Sequence, residues 1–373
     1  MSNNTINEKN TALSLLSAMR RLGRFSLPMI ANQLLGIVPT LASMWILSRL
    51  GKDYIAAAGF AAPSFYTIIT FFATGFYALG IKIGHCYGEN KNNPQIKALF
   101  HNGILLALCL VFPTILLILS LPSLLIFFGQ DPHLVALAKP FFYFGALAMI
   151  PILINSAINQ YFTAVGHPKV AFYLSIITLP LIIFLSYGMV LGKWGLPKLA
   201  MGGITGASFI VHVCITVISI MIACQAKWSR VYKLFSRPYG INYYVIYQII
   251  SLGWPIAIQV SGELAAMTAA AYLMGLFGSS ALAAQQIVGQ FAMLFTMISV
   301  GLSSAVSILV SHGYGERNLN AIIQTSKAGC VFSLMVSGLF ALGFLVFPET
   351  LVDLYLNIDH AAHSQLVDYA VYF

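Results

Sequence analysis

Long apolar runs broken by short polar and charged segments dominate the chain from residue 24 onward. Nine of them, at about 24 to 48, 54 to 81, 98 to 120, 140 to 164, 170 to 192, 199 to 224, 244 to 276, 281 to 309 and 328 to 347, can cross a bilayer as helices. Each exceeds the roughly 18 residues that mark a spanning candidate. The pattern predicts an all-α polytopic membrane protein with about nine transmembrane helices. Composition agrees, because 59% of the 373 residues are hydrophobic and 8% are charged, with a mean hydropathy of +0.86. A soluble protein would hold about a quarter of its sequence as charged residues, so the solvent for most of this chain is lipid.

The formal charge of +9 could point to nucleic acid, but its distribution removes that reading. With residues 1–23 cytoplasmic, inner loops collect 14 of the 19 basic residues, among them Arg20, Arg21, Arg24, Lys82, Lys91, Lys97, Lys227, Arg230, Lys233 and Arg237. Only Arg49, Lys52, Lys139, Lys193 and Lys198 fall outside. This is the positive-inside bias expected of a cell inner-membrane protein, so the basic excess reports topology and no nucleic-acid partner is expected. Because nine is odd, the end of this chain falls on the outer side. The cysteines at 86, 109, 214, 224 and 330 are scattered, without metal-ligand spacing, and read as structural thiols. The first 24 residues are polar and include Glu8. They lack the apolar stretch and small-residue site of a cleaved signal, so the first helix is expected to direct insertion.

An internal repeat organises the rest. GHCYGENKNN at 84 to 93 recurs as SHGYGERNLN at 311 to 320, an offset of 227 residues that also pairs Pro28 with Pro255, Gly51 with Gly278, Ala56 with Ala283 and Ala57 with Ala284. With a one-residue slip the match continues through Gly103 and Gly329, then Pro122 and Pro348. Self-similarity at a fixed period indicates duplication. Six spans separate equivalent points, and an even number returns the chain to the same side, so the copies are parallel and related by an axis along the membrane normal. The expected organisation is an N-terminal lobe of six helices at 24–226, a cytoplasmic linker at 227–243 with aromatic residues at the interface, and a second lobe at 244–373 with three. Matched to the first copy, the second would continue for about 80 residues past Phe373.

Chemistry concentrates at one position. Between Arg237 and Glu316 the sole charged residue is Glu263, near the middle of its span. An ionisable group at that depth costs a few kcal/mol, is normally retained for function, and faces protein or water. Glu263 is therefore expected to be deeply buried, with a carboxyl suited to carrying a proton or, when ionised, ligating a cation. The structural alternative is a hydrogen bond to Gln259 one turn earlier. Softer candidates for substrate or ion contact are Gln259, Asn32, Gln33, Ser43, Asn155, Asn159, Gln160, Gln285, Gln286 and Gln290, most of which interhelical hydrogen bonding explains at least as well. His212 reads as a satisfied structural residue, and His85 and His312 as capping and turn residues. The run MGGITGAS at 201 to 208 contains a GxxxG that permits close helix packing. The chain has no intramembrane HExxH, no Gly-x-Ser-x-Gly elbow and no phosphate-cradling GxxxxGK[ST], so neither an enzyme nor an ATP-driven pump is expected.

Together, Pro28 and Pro255, the Gly51 and Gly278 turns, AAQQI at 283 to 287, the two HxYGE loops and LPKLAMGGITGAS at 196 to 208 resemble the multidrug and toxic compound extrusion (MATE) family, nearer its NorM-like branch. The resemblance implies two six-helix lobes that export organic cations or drugs by sodium or proton antiport. It places Glu263 at the acid of the family's seventh helix and Gln286 at the glutamine of its eighth. Ser43 stands where the family has a first-helix aspartate, and the further acid of the C-terminal lobe belongs to a tenth helix. Coupling would then rest on Glu263. The implied partners are the bilayer and a small cationic solute, the chain acting as a monomer with no cofactor besides the coupling sodium or proton. Two other functions compete: a lipid-linked oligosaccharide flippase of the same superfamily, and a non-functional truncated transporter remnant. The flippase would want buried Arg or Lys for its anionic substrate, and every basic residue reads as lying in a loop or at a helix end.

Overall fold

The computed structural model describes residues 15–232, 234, 240–275 and 279–346, without the side chains of 268, 271, 272, 274, 275, 279–288, 290 and 291. Among them the backbone forms helices and short connections. A chain in hydrocarbon must satisfy every backbone N–H and C=O internally, which a helix does within one segment. The elements are α1 (Leu15–Leu35), α2 (Val38–Ser48), α3 (Lys52–Gly75), α4 (Tyr77–Glu89), α5 (Gln95–Phe127), α6 (Pro132–Ala164), α7 (Pro168–Leu191), α8 (Gly202–Gln225), the single turn α9 (Lys227–Arg230), α10 (Tyr243–Gly275), α11 (Ser279–Gly315) and α12 (Leu319–Val346). Nine helical segments among the described residues are long and apolar enough to span, as the apolar runs foretell.

Most of the helices start earlier than the apolar runs. α6 begins at Pro132 and α12 at Leu319, not near 140 and 328, because first turns carrying His133 and Lys139, or Gln324 and Lys327, continue the helix into the headgroup region. Long polar side chains there reach water while their stems lie along the helix. The first two spans are each broken, which hydropathy does not show. Gly36 and Ile37 separate α1 from α2, whose first turn holds Pro39, a residue that cannot donate to the preceding turn. α3 gives way to α4 at Phe76, directly after Gly75. α10 is continuous through Pro255.

The described residues divide into two compact units, one within 15–34, 262–306 and 319–346, the other within 35–261 and 307–318. In the second unit α6 is the central post, packed against α3, α4, α5, α7 and α8 and burying Phe141, Phe142, Met149, Tyr161 and Phe162. The small-residue run holds α8 tight against its neighbours. A Cβ on Gly203 would stand 2.6 Å from the backbone nitrogen of Val190, and one on Gly202 would stand 2.8 Å from Pro140. Thr205 donates to the Phe141 carbonyl at 2.8 Å. In the first unit, Gly301 of α11 lies against Ile30 of α1, Gly329 of α12 lies against Val306, and Phe295 meets Phe340 edge-on at 5.4 Å.

The second unit gathers several of the segments that the charge pattern assigns to the cytoplasm. Trp228 of α9 stacks on His167 at 4.1 Å, the fully buried Ser229 shares a 2.8 Å hydrogen bond with Tyr161, and Tyr232 donates to the Lys91 carbonyl. Burial pushes the Tyr232 phenol up to about 12, so it stays protonated as that donor. The start of the linker is therefore docked on the end of α6 and the α4–α5 turn. Asn102, buried in α5, accepts from the Asn242 backbone N–H at 3.0 Å and fixes the approach to α10.

Candidate functional site

Glu263 projects from α10 in the first unit, and its Oε1 accepts a hydrogen bond from the Thr296 hydroxyl of α11 at 3.2 Å. The side chain is exposed, which corrects the expectation of deep burial. Depth along a spanning helix is not enclosure by other helices. The hydrogen bond comes from the facing helix and not from Gln259, which is exposed one turn earlier on α10. An ionised carboxylate beside a hydroxyl offers two oxygen ligands to a hard cation. A protonated carboxyl can reverse the bond and donate to the same hydroxyl.

The other candidates fall in both units. Asn32 and Gln33 are half-buried on α1 and take part in interactions there. Ser43 lines a small pocket in the second unit with Thr40, Met44, Tyr66 and Phe141. Its hydroxyl donates to the Pro39 carbonyl at 2.7 Å, and Tyr66 shares a hydrogen bond with Thr40. The pocket wall thus presents hydroxyls and no charge. Asn155 of α6 accepts from Ser219 of α8 at 3.2 Å, the interhelical role weighed for it. His212 bonds the Ser208 carbonyl at 2.8 Å, a satisfied structural position. Gln285, Gln286 and Gln290 lie on α11 with their side chains outside the description. Sequence reasoning missed Thr296, Thr40 and Tyr66, and it put Lys82 in a loop. Lys82 in fact lies inside α4, half-buried, with Nζ 3.4 Å from Gln248 Oε1. The short polar stretch that follows Lys82 is helical as far as Glu89, so it reads as a loop only by composition.

The two HxYGE segments are more than turns. His85 of α4 meets Tyr314 of α11 with ring centroids 5.0 Å apart, and Tyr87 meets His312 at 5.1 Å. A Cβ on Gly88 would collide with the His312 carbonyl, and one on Gly315 would collide with the His85 carbonyl. Each contact maps onto its partner under the 227-residue offset, and Gly84 packs on its own equivalent, Ser311. The repeats therefore cross about a local two-fold, with glycines allowing the backbones to touch. The symmetry is broken at the imidazoles. The buried His312 donates through Nε2 to the Ala164 carbonyl at 2.7 Å, whereas His85 stands 3.6 Å from Glu89.

Comparison with known proteins adds an independent view of this duplication. The MatE family model matches residues 28–188 and again 255–371, so its two matches start at Pro28 and Pro255, the first pair of the repeat. The chain is 29% identical over 357 residues to a probable multidrug resistance protein NorM of Pseudomonas putida, covering 95% of this chain and 76% of that protein. It is 26% identical to a protein of the same name from Agrobacterium fabrum, covering 92% and 74%. Among solved structures it is similar to an outward-facing multidrug resistance MATE transporter of the MOP superfamily, with a TM-score of 0.80 at 18% identity over 97% of this chain and 79% of that one. A MATE in a straight conformation gives 0.81 at 19%, covering 97% and 80%. With two family matches that together take in most of its length, this multi-pass membrane chain belongs to the MATE family of multidrug transporters, which are not enzymes.

Proposed function

We propose that this chain is a secondary antiporter of the inner membrane that exports organic cations or drugs against an inward flow of sodium or protons, with Glu263 as the coupling group. The observation that carries the reading is the Glu263–Thr296 pair: the one carboxylate between Arg237 and Glu316, open on one side and bonded to a hydroxyl of the facing helix. An antiporter needs a group whose occupancy by the coupling ion weakens binding of the cationic substrate, exposed alternately to the two sides. The pocket around Ser43 in the other unit is lined by no competing carboxylate. The crossing of α4 and α11 supports parallel lobes, at 24–226 and from 244 onward, joined at 227–243 and held together at their cytoplasmic ends. Opening to the cytoplasm would part it.

Dye efflux from energised membrane vesicles, normalised to inserted protein and followed across pH and sodium concentration, tests the role of Glu263. Glu263→Gln keeps size and hydrogen bonding but removes the charge, so export falls to background at unchanged protein level. Glu263→Asp keeps the charge at a displaced position and retains part of the rate with an altered ion optimum. Export by Glu263→Gln at the parental rate and with parental ion dependence refutes the assignment.

A further inference from the structure

We propose that the groove between α4 and the start of α10 binds the phosphate of an anionic phospholipid from the inner leaflet. Its lining is Lys82, Tyr247, Gln248, Ser251 and Leu252, around about 450 Å³ of open space. Lys82 lies two turns before α4 ends at Glu89, so its backbone is about 10 Å inside the helix end and its ammonium can reach the headgroup level. Among the described residues no carboxylate stands within ion-pair distance of it, since Glu89 pairs with His85. Among the described residues its hydrogen bond is the long one to Gln248, which leaves donor capacity unused.

A lone half-buried ammonium beside two hydroxyls and an amide suits a phosphate oxygen and repels the cationic solute proposed for the transport path. The spacing 247, 248, 251, 252 puts the lining of α10 on one helix face. The neighbouring exposed surface of α10 carries the rest of a lipid site as well. Tyr243, Tyr244 and Tyr247 are exposed at the start of α10, as side chains at a headgroup boundary are. Ile250, Leu252 and Trp254 are exposed directly after them, apolar surface on which acyl chains can lie. A free anion would have no use for that apolar continuation.

Native mass spectrometry of the purified full chain, equilibrated with phosphatidylglycerol or with phosphatidylcholine, reads the site directly and does not depend on transport. The parental chain should retain phosphatidylglycerol over phosphatidylcholine. Lys82→Gln should lower phosphatidylglycerol retention about fivefold, the factor one basic residue gives near an anionic surface, with phosphatidylcholine unchanged and Lys82→Arg close to parental. Should Lys82→Gln fail to insert, Tyr247→Phe combined with Ser251→Ala removes the two hydroxyls and should also lower retention. Unchanged phosphatidylglycerol retention in the variants overturns the proposal. So does displacement of the lipid by inorganic phosphate, which would make this a site for a free anion.

Discussion

At the scale of single residues, the chemistry turns on whether Glu263 acts with a partner. Thr296→Val removes the hydroxyl while keeping the shape. A hydrogen bond to a charged group contributes about 1.5 kcal/mol, so the ion concentration giving half-maximal efflux should shift about tenfold while maximal rate and protein level hold. Thr296→Ser should behave as the parent. An unchanged ion dependence in Thr296→Val would leave Glu263 acting alone. Glu263 itself was legible in the sequence, because one charge in a long apolar stretch stands out without any three-dimensional information. Thr296 was not. A threonine in a spanning helix ordinarily bonds its own backbone one turn back, as Thr74, Thr114 and Thr178 do here, and nothing in the sequence marks those that reach across, as Thr205 and Thr296 do. Lys82 was misplaced for a related reason: local polarity locates the membrane boundary but not the end of the helix.

At the scale of elements, the crossing of α4 and α11 explains why glycine recurs in both HxYGE segments. Backbone touches backbone there, so Gly88→Ala or Gly315→Ala must push the helices apart, at about 1–3 kcal/mol for overpacking. Gly59, inside α3, has open space where a Cβ would go. Gly59→Ala should therefore be neutral or stabilising by up to about 1 kcal/mol from helix propensity alone. Thermal denaturation followed by size-exclusion in detergent distinguishes them: the first two variants should melt below the parent and the third at or above it. If Gly88→Ala and Gly59→Ala melt alike, the close approach is not a structural determinant. The repeat could be read from the chain because identity at a fixed offset needs no structure. That its copies touch each other could not, since similarity in sequence reports equal environments and not mutual contact. The breaks at Gly36 and Gly75 were likewise hidden, because a hydropathy window averages across them.

For the whole molecule, the helical class and the nine spans among the described residues followed from hydropathy, because the bilayer admits few alternatives. Ion coupling is a property of the complete cycle and demands a measurement of exchange. In proteoliposomes holding the parental chain, preloaded with the coupling ion and without an imposed gradient, adding a cationic substrate outside should drive sodium or protons out of the lumen in proportion to substrate uptake. Glu263→Gln should take up substrate without moving either ion, or take up none. Counterion release by Glu263→Gln equal to that of the parent would contradict the account.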